Sequence, residues 1–232
     1  MLLMEDLRVN KRLQILKLKQ DDIFTRASEI LGTLAAPVRI RLIHFLSQAP
    51  LTVEVLSQKI EQSVANTSMH LRKMLNENLV QVETVGQKRL YSLHPAVFDF
   101  WERSQDFIQK IDPSLRLIDE EESLELNWQY PIDETIQMIK NNEITILDIR
   151  PQDESVQIVP DLKNLIHIPS SDIKENLNLI PKKKKVLVIC RGRMCALSAF
   201  TVSYLRENNI KAYRLDQSWF VLNQSLLRKE NV

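Results

Sequence analysis

The residues with the clearest chemical potential are the chain's two cysteines, Cys190 and Cys195, in the stretch VLVICRGRMCALSAF. A thiol ends an apolar segment, the loop Arg191-Gly192-Arg193-Met194 follows, and a helix is expected to start near Cys195 or Ala196. Successive backbone N–H groups in such a loop form an anion-binding concavity, and the helix N-terminus adds partial positive charge. With Arg191 and Arg193 alongside, Cys190 is expected to have a lowered pKa and to be held as thiolate. A thiolate in an anion cradle suits attack on the outer sulfur of an anionic donor, which leaves a persulfide. Cysteine phosphatase chemistry uses related geometry, usually with a longer loop and a partnering acid. An inert buried cysteine is the alternative for Cys190. Cys195 could pack inward or face the loop.

A parallel α/β unit must position that loop. EITILDIRP, KKKKVLVIC and KAYRLD read as short buried strands, and ALSAFTVSYLREN reads as a helix between the last two. Fully apolar strands alternating with helices imply a parallel sheet covered on both faces, with ligands beyond the carboxyl ends of its strands. Cys190 falls at such an end, and Asp148 and Arg150 at another. Lys182–Lys185 read as a solvated loop or, alternatively, a patch for DNA or acidic partners.

The first half has a different pattern. Ile23–Leu34 is expected to be helical, with Phe24, Ala27, Ile30, Leu31 and Leu34 on one face. Pro37 opens a second helix, Thr52 can cap a third, and Ser63 a fourth, VANTSMHLRKMLNEN. In the fourth, Val64, Ser68, Leu71 and Leu75 are expected to be buried. Asn66, Thr67, Met69, His70, Arg72 and Lys73 are expected to face outward. Alternation on both sides of Gly86-Gln87 reads as a β-hairpin with Lys88 and Arg89 beside its turn. A tight helix pair followed by a basic hairpin suits entry into the major groove. By chemistry, Asn66 and His70 suit base edges, and Arg72, Lys73, Lys88 and Arg89 suit phosphates.

The 232 residues are 44% hydrophobic and 26% charged, an ordinary globular composition. Residues 1–118 carry 16 basic and 13 acidic side chains, and the remainder 15 and 17, so the first half is mildly basic, as a nucleic-acid partner would favour. No apolar run reaches the roughly 18 residues of a membrane span. Two cysteines cannot make a disulfide scaffold, and a reducing cytoplasm is the simplest compartment. The acidic N-terminus does not read as a signal peptide, and residues 1–20 read as an amphipathic helix for the domain or a partner chain. Only three glycines occur, so each is expected to mark a special backbone position. The acidic run Asp119–Glu122, after Pro113, reads as a linker.

Residues 24–93 resemble the winged helix-turn-helix of ArsR-type repressors, through LAAPVRIRLIHFL, LTVEVLSQKIEQSVANTSMHLRKML and NLVQVETVGQKRLYSL. The resemblance implies a homodimer that binds a double-stranded DNA operator and represses transcription. The first helix and AVFDFWERSQDFIQK would supply the dimer interface, with Phe98, Trp101, Phe107 and Ile108 as contacts. Relatives that sense metals use cysteines or histidines that VEVLSQKI lacks. Asp99, Glu102 and Asp106 read as a solvated face and His44 as a core or boundary histidine, so no metal site and no cofactor are expected.

Residues 131–225 resemble a single rhodanese domain, through ITILDIRP, VLVICRGRMCALSAFTVSYLRENNIKAYRLD and, loosely, NLIHIPSSDI. The fusion of the two is itself a recurrent arrangement. The resemblance implies that Cys190 accepts sulfur from a small donor such as thiosulfate or polysulfide, and that the backbone from Arg191 to Ala196 cradles it. Asp148 and Arg150 would brace the strand end. Cys195 stands where many active rhodaneses carry arginine. The fold class expected is therefore two domains: a mainly α winged helix-turn-helix (1–112), a linker (113–130) and an α/β rhodanese domain with a parallel sheet (131–232). Three functions compete: a repressor that senses or transfers sulfur, a sulfurtransferase with no allosteric link to DNA, and a repressor with a silent rhodanese-shaped module.

Overall fold

A computed structural model describes residues 2–116, 125–155 and 162–228. The acidic run Asp119–Glu122 lies outside the described residues.

The N-terminal unit runs α1 (Leu2–Leu34), α2 (Pro37–Leu46), α3 (Val53–Lys59), α4 (Val64–Asn76), β1 (Val80–Val85), β2 (Lys88–Leu93) and α5 (Pro95–Ile111). The helix starts follow local chemistry. Pro37 opens α2, Thr52 Oγ1 accepts from the Val55 N–H, and Ser63 Oγ accepts from the Asn66 N–H at 3.1 Å. β1 and β2 pair antiparallel from Val80–Leu93 to Val85–Lys88. Gly86 takes φ +61 at the first turn position, as a two-residue hairpin turn requires. Gly32 marks no such place; it sits inside α1 with open space around it. Three of the positive-φ positions are asparagines: Asn78, Asn142 and Asn209, just after helices. A glycine-poor chain uses the next residue that tolerates the left-handed region at helix ends.

Two faces differ from the sequence reading. In α4 the buried face is Thr67, Leu71 and Met74, while Val64 is 46% exposed. Thr67 can turn inward because its hydroxyl donates to the Ser63 carbonyl at 2.9 Å. On α5, Phe98 and Trp101 belong to the interior, Trp101 within the core of Leu42, Leu46 and Leu71. Phe107 and Ile111 are left exposed on α5, as are Leu13, Leu16, Phe24 and Leu31 on α1.

The C-terminal unit contains α6 (Ile132–Lys140), β3 (Ile144–Asp148), a one-turn α7 (Gln152–Ser155), β4 (Leu165–His167), β5 (Lys185–Ile189), α8 (Ala196–Glu207), β6 (Ala212–Arg214) and α9 (Trp219–Arg228). Its sheet is parallel with order β4-β3-β5-β6. Alternate residues divide the strands between two cores. Leu147, Val186 and Val188 meet α8 through Val202 and Leu205. Ile144, Ile146, Leu187 and Ile189 meet α6 and α9 through Ile136, Ile139 and Leu222. This is the two-sided burial that fully apolar strands predict. Leu126 and Trp128, placed in a linker by the sequence reading, belong to these cores, and the Trp128 N–H donates to the Arg214 carbonyl at 2.8 Å. Among the described residues, no helix is long and apolar enough to cross a membrane.

Candidate functional site

The cysteine loop leaves β5, the strand between β3 and β6, at its carboxyl end and runs into α8. Cys190 and Cys195 are joined in a disulfide, with Cα atoms 6.7 Å apart, and both are buried, at 1% and 4% exposure. A separation of five residues allows this because the loop folds back: the Cys195 N–H donates to the Gly192 carbonyl at 3.1 Å. Gly192 is required at the bend. Its φ is +90, and a Cβ there would meet the Ser218 backbone nitrogen at 3.1 Å.

The loop arginines do not do what the sequence reading expects of them. Arg191 forms a two-pronged pair with Glu154 (Nε–Oε2 2.7 Å, Nη2–Oε1 2.9 Å), and Arg193 pairs with Asp106 and Asp216 at 2.9 Å each. Both charges are neutralised by acids from other elements, so the cradle at Cys190 reduces to backbone and helix terminus. Asp148 and Arg150 form a buried bidentate pair, with bonds of 2.9 and 2.8 Å, that locks the end of β3. The Arg150 carbonyl in turn bonds His167 Nε2 at 2.8 Å. Buried Arg214 donates to the Arg193 carbonyl at 3.1 Å and steadies the loop from β6.

Glu154 is a central group that motif reading did not single out. Burial opposes its ionisation, but hydrogen bonds and charge from Arg191 and Lys59 outweigh burial and hold its carboxyl below the usual glutamate range. Asp106 is lowered chiefly by Lys110, with Arg193 adding to it. Glu102 is raised by burial, only partly offset by the Ser218 N–H. His44, beside Phe45 and Trp101, is pushed down to about 4 by burial and by the Arg191 charge. The sequence did hold a signal for these contacts: Glu102 and Asp106 are one turn apart on α5, and the loop carries two arginines.

Elsewhere on the N-terminal unit, α4 and the hairpin present Arg72, Lys73, Lys88 and Arg89 to solvent, with Met69 57% exposed. Asn66 is half-buried, and its Nδ2 donates to Gln62 Oε1 at 2.7 Å. His70 Nδ1 lies 3.3 Å from Arg39 Nη1. A guanidinium can only donate, so Nδ1 accepts and Nε2 carries the hydrogen. Burial, then the Arg39 and Lys73 charges, lowers the His70 pKa. Thr67 does not join this surface; it is fully buried. Among the described residues no cluster of three or more His, Cys, Asp or Glu could hold a metal.

A helix-turn-helix with a basic wing, followed by a parallel sheet that ends in a cysteine loop, defines a DNA-binding regulator fused to a rhodanese-type domain. Residues 36–82 match the family described as bacterial regulatory protein, arsR family, and residues 132–224 match the rhodanese-like domain. The chain is an ArsR-family DNA-binding regulator joined to a rhodanese-like domain. Similar solved structures cover its N-terminal part. The homodimeric winged helix-turn-helix DNA-binding domain of Mb0332 from Mycobacterium bovis is 15% identical, covering 41% of this chain and 90% of that one, with TM-score 0.39. NolR from Sinorhizobium fredii is 23% identical, covering 40% and 91%, with TM-score 0.37. HlyU from Vibrio cholerae is 22% identical, covering 38% and 94%, with TM-score 0.33. No curated protein matches the chain.

Proposed function

We propose that the chain is a homodimeric transcriptional repressor whose rhodanese domain accepts sulfur on Cys190 and reports it through Cys195. The carrying observation is the pairing of these two cysteines across the loop at the carboxyl end of β5. Attack of the Cys190 thiolate on the outer sulfur of thiosulfate breaks the S–S bond, releases sulfite and leaves Cys190 persulfide. The Cys195 thiolate then attacks the Cys190 Sγ, expels the outer sulfur as hydrosulfide and leaves the disulfide. The two cysteine sulfurs are oxidised and the transferred sulfur is reduced to sulfide, so no further oxidant is needed. Asp148 and Arg150 brace the strand end behind the loop. Asn66 and His70 read base edges, while Arg72, Lys73, Lys88 and Arg89 hold phosphates. The apolar residues left exposed on α1 and α5 are the dimer surface.

Intact mass after incubation with thiosulfate or polysulfide tests the sulfur step. Sulfur should add to the wild type and to Cys195→Ser but not to Cys190→Ser, and the wild type should go on to lose two hydrogens as the disulfide closes. DNA titration of loaded and unloaded protein then tests the sensing step; equal affinities would remove it. The burial of both sulfurs favours a second reading, a rhodanese-shaped module with an unreactive thiol. The absence of an adduct from any donor would establish that reading.

A further inference from the structure

The loop that carries the cysteines is pressed against the N-terminal domain. Met194, between the two cysteines, packs against the core of that domain. On one side of it, the fully buried Glu154 carboxylate takes Arg191 and also the Lys59 ammonium, at 2.7 Å from Oε1. Lys59 is the last residue of α3, the first helix of the DNA-reading pair. Gln48, just beyond α2, donates to the Arg191 carbonyl at 3.5 Å. On the other side, Arg193 reaches Asp106 of α5 at 2.9 Å, and Glu102, one turn earlier, accepts the Ser218 N–H at 3.3 Å. The Phe98 ring of α5 lies 4.1 Å from that of Phe220.

We infer that the N-terminal domain is a lid over the Cys190–Cys195 loop, latched by Glu154 through Lys59 and by Asp106 through Arg193. This deepens the sulfur-acceptor reading by naming its regulation, but the lid can be tested without any sulfur donor. With the loop docked, Cys190 and Cys195 are 1% and 4% exposed and pack into the rhodanese core beside Ile149 and Val202, while Met194 between them is held by the N-terminal domain. Exposing Sγ means lifting the loop out of the rhodanese core, and the loop is free to lift only after Met194 leaves the N-terminal core and the two latches part. The same latches end on α3, which positions α4, and on α5, which carries exposed apolar residues toward a partner copy. An event that opens the loop therefore releases both helices. By linkage, whatever binds better to the released helices also favours the open loop.

The test uses the full chain with its disulfide reduced. Alkylation of Cys190 by iodoacetamide is followed by site-resolved mass spectrometry in the wild type and in Lys59→Met, Asp106→Asn and Glu154→Gln. Lys59 and Asp106 lie outside the rhodanese fold, so they can reach the thiol only through docking, and they carry the test if Glu154→Gln does not fold. The expected result is alkylation tenfold or more faster in folded Lys59→Met and Glu154→Gln, alkylation a few-fold faster in Asp106→Asn, whose pair is partly exposed, and faster amide exchange in α3 and α5 of wild-type chain once Cys190 is alkylated. Equal alkylation rates in the wild type and both N-terminal variants, or unchanged exchange in the two helices, would overturn the lid. Latch-dependent alkylation without loading by either thiosulfate or polysulfide would sink the sulfur reading and leave the lid standing. Loading with latch-independent alkylation would do the reverse.

Discussion

Lowering the pH from 7.5 to 5 destabilises this chain through His44. The imidazole is half-buried, edge-on to Phe45 and Trp101, and faces the Arg191 charge, with Glu154 as the nearby opposing charge. Its folded pKa is about 4, against 6.5 when unfolded, so the unfolded chain takes the proton first. Stability is therefore full above about pH 6.5 and is lost as the pH falls toward 4. At about 1.4 kcal/mol per tenfold, the gap is worth about 3 kcal/mol in all, of which about 2 kcal/mol is gone by pH 5. Glu154 has the same sign, but its contribution is lost only at lower pH. Glu102, whose folded pKa is raised, works in the opposite direction. A difference between two proteins isolates the imidazole: urea unfolding of wild type and His44→Gln, followed by tryptophan fluorescence at pH 7.5 and pH 5. With a slope of about 2 kcal/mol per molar urea, the wild-type midpoint should fall by about 1 M more than that of the variant. Equal pH dependence in the two would refute the burial argument.

Arg150→Leu strands the buried Asp148 carboxylate and should cost about 3–5 kcal/mol in the same urea assay; a loss under 1 kcal/mol would mean that the pair is dispensable. Gly192→Ala forces a Cβ onto the Ser218 backbone at φ +90, costs about 1–3 kcal/mol, and should lower the yield of Cys190–Cys195 disulfide at a fixed glutathione ratio. Lys88→Glu and Arg89→Glu should weaken binding to all duplexes alike and reduce the salt slope by about one each, whereas Asn66→Ala should change the ranking among sequences. A sequence-dependent effect of Lys88→Glu would move that residue from phosphate to base.

The parts that were legible in the sequence are those fixed by local chemistry. Ser63 and Thr52 cap where their side chains permit, Gly86 makes the hairpin turn, and the apolar run Val186–Ile189 forms a strand buried on both faces. The rotation of α4 was harder to read. Hydropathy puts Val64 inside and Thr67 outside, but a threonine that bonds its own helix carries no exposed polar demand and can be buried. The resemblance implies an outward Phe98 and Trp101, but Phe98 meets Phe220 of the second domain and Trp101 fills the N-terminal domain's own core beside Leu42 and Leu71. The loop arginines were read toward the sulfur because their acid partners, Glu154 and Asp106, lie 37 and 87 residues away and only the docked fold joins them.

That long-range pairing also bounds how strong the coupling between the domains can be. The Arg193–Asp106 pair is partly exposed and is worth at most about 1 kcal/mol. The buried Glu154 site is different in kind, since opening it leaves a carboxylate facing two cations that must all be rehydrated. With Met194 burial added, a docking free energy of a few kcal/mol would leave an open population between about 0.1 and 10%. In that range the sulfurs are protected in most molecules, and a ligand with a modest preference for one state can still shift the balance. A latch of many kcal/mol would silence Cys190, and one near zero would leave nothing for DNA to sense.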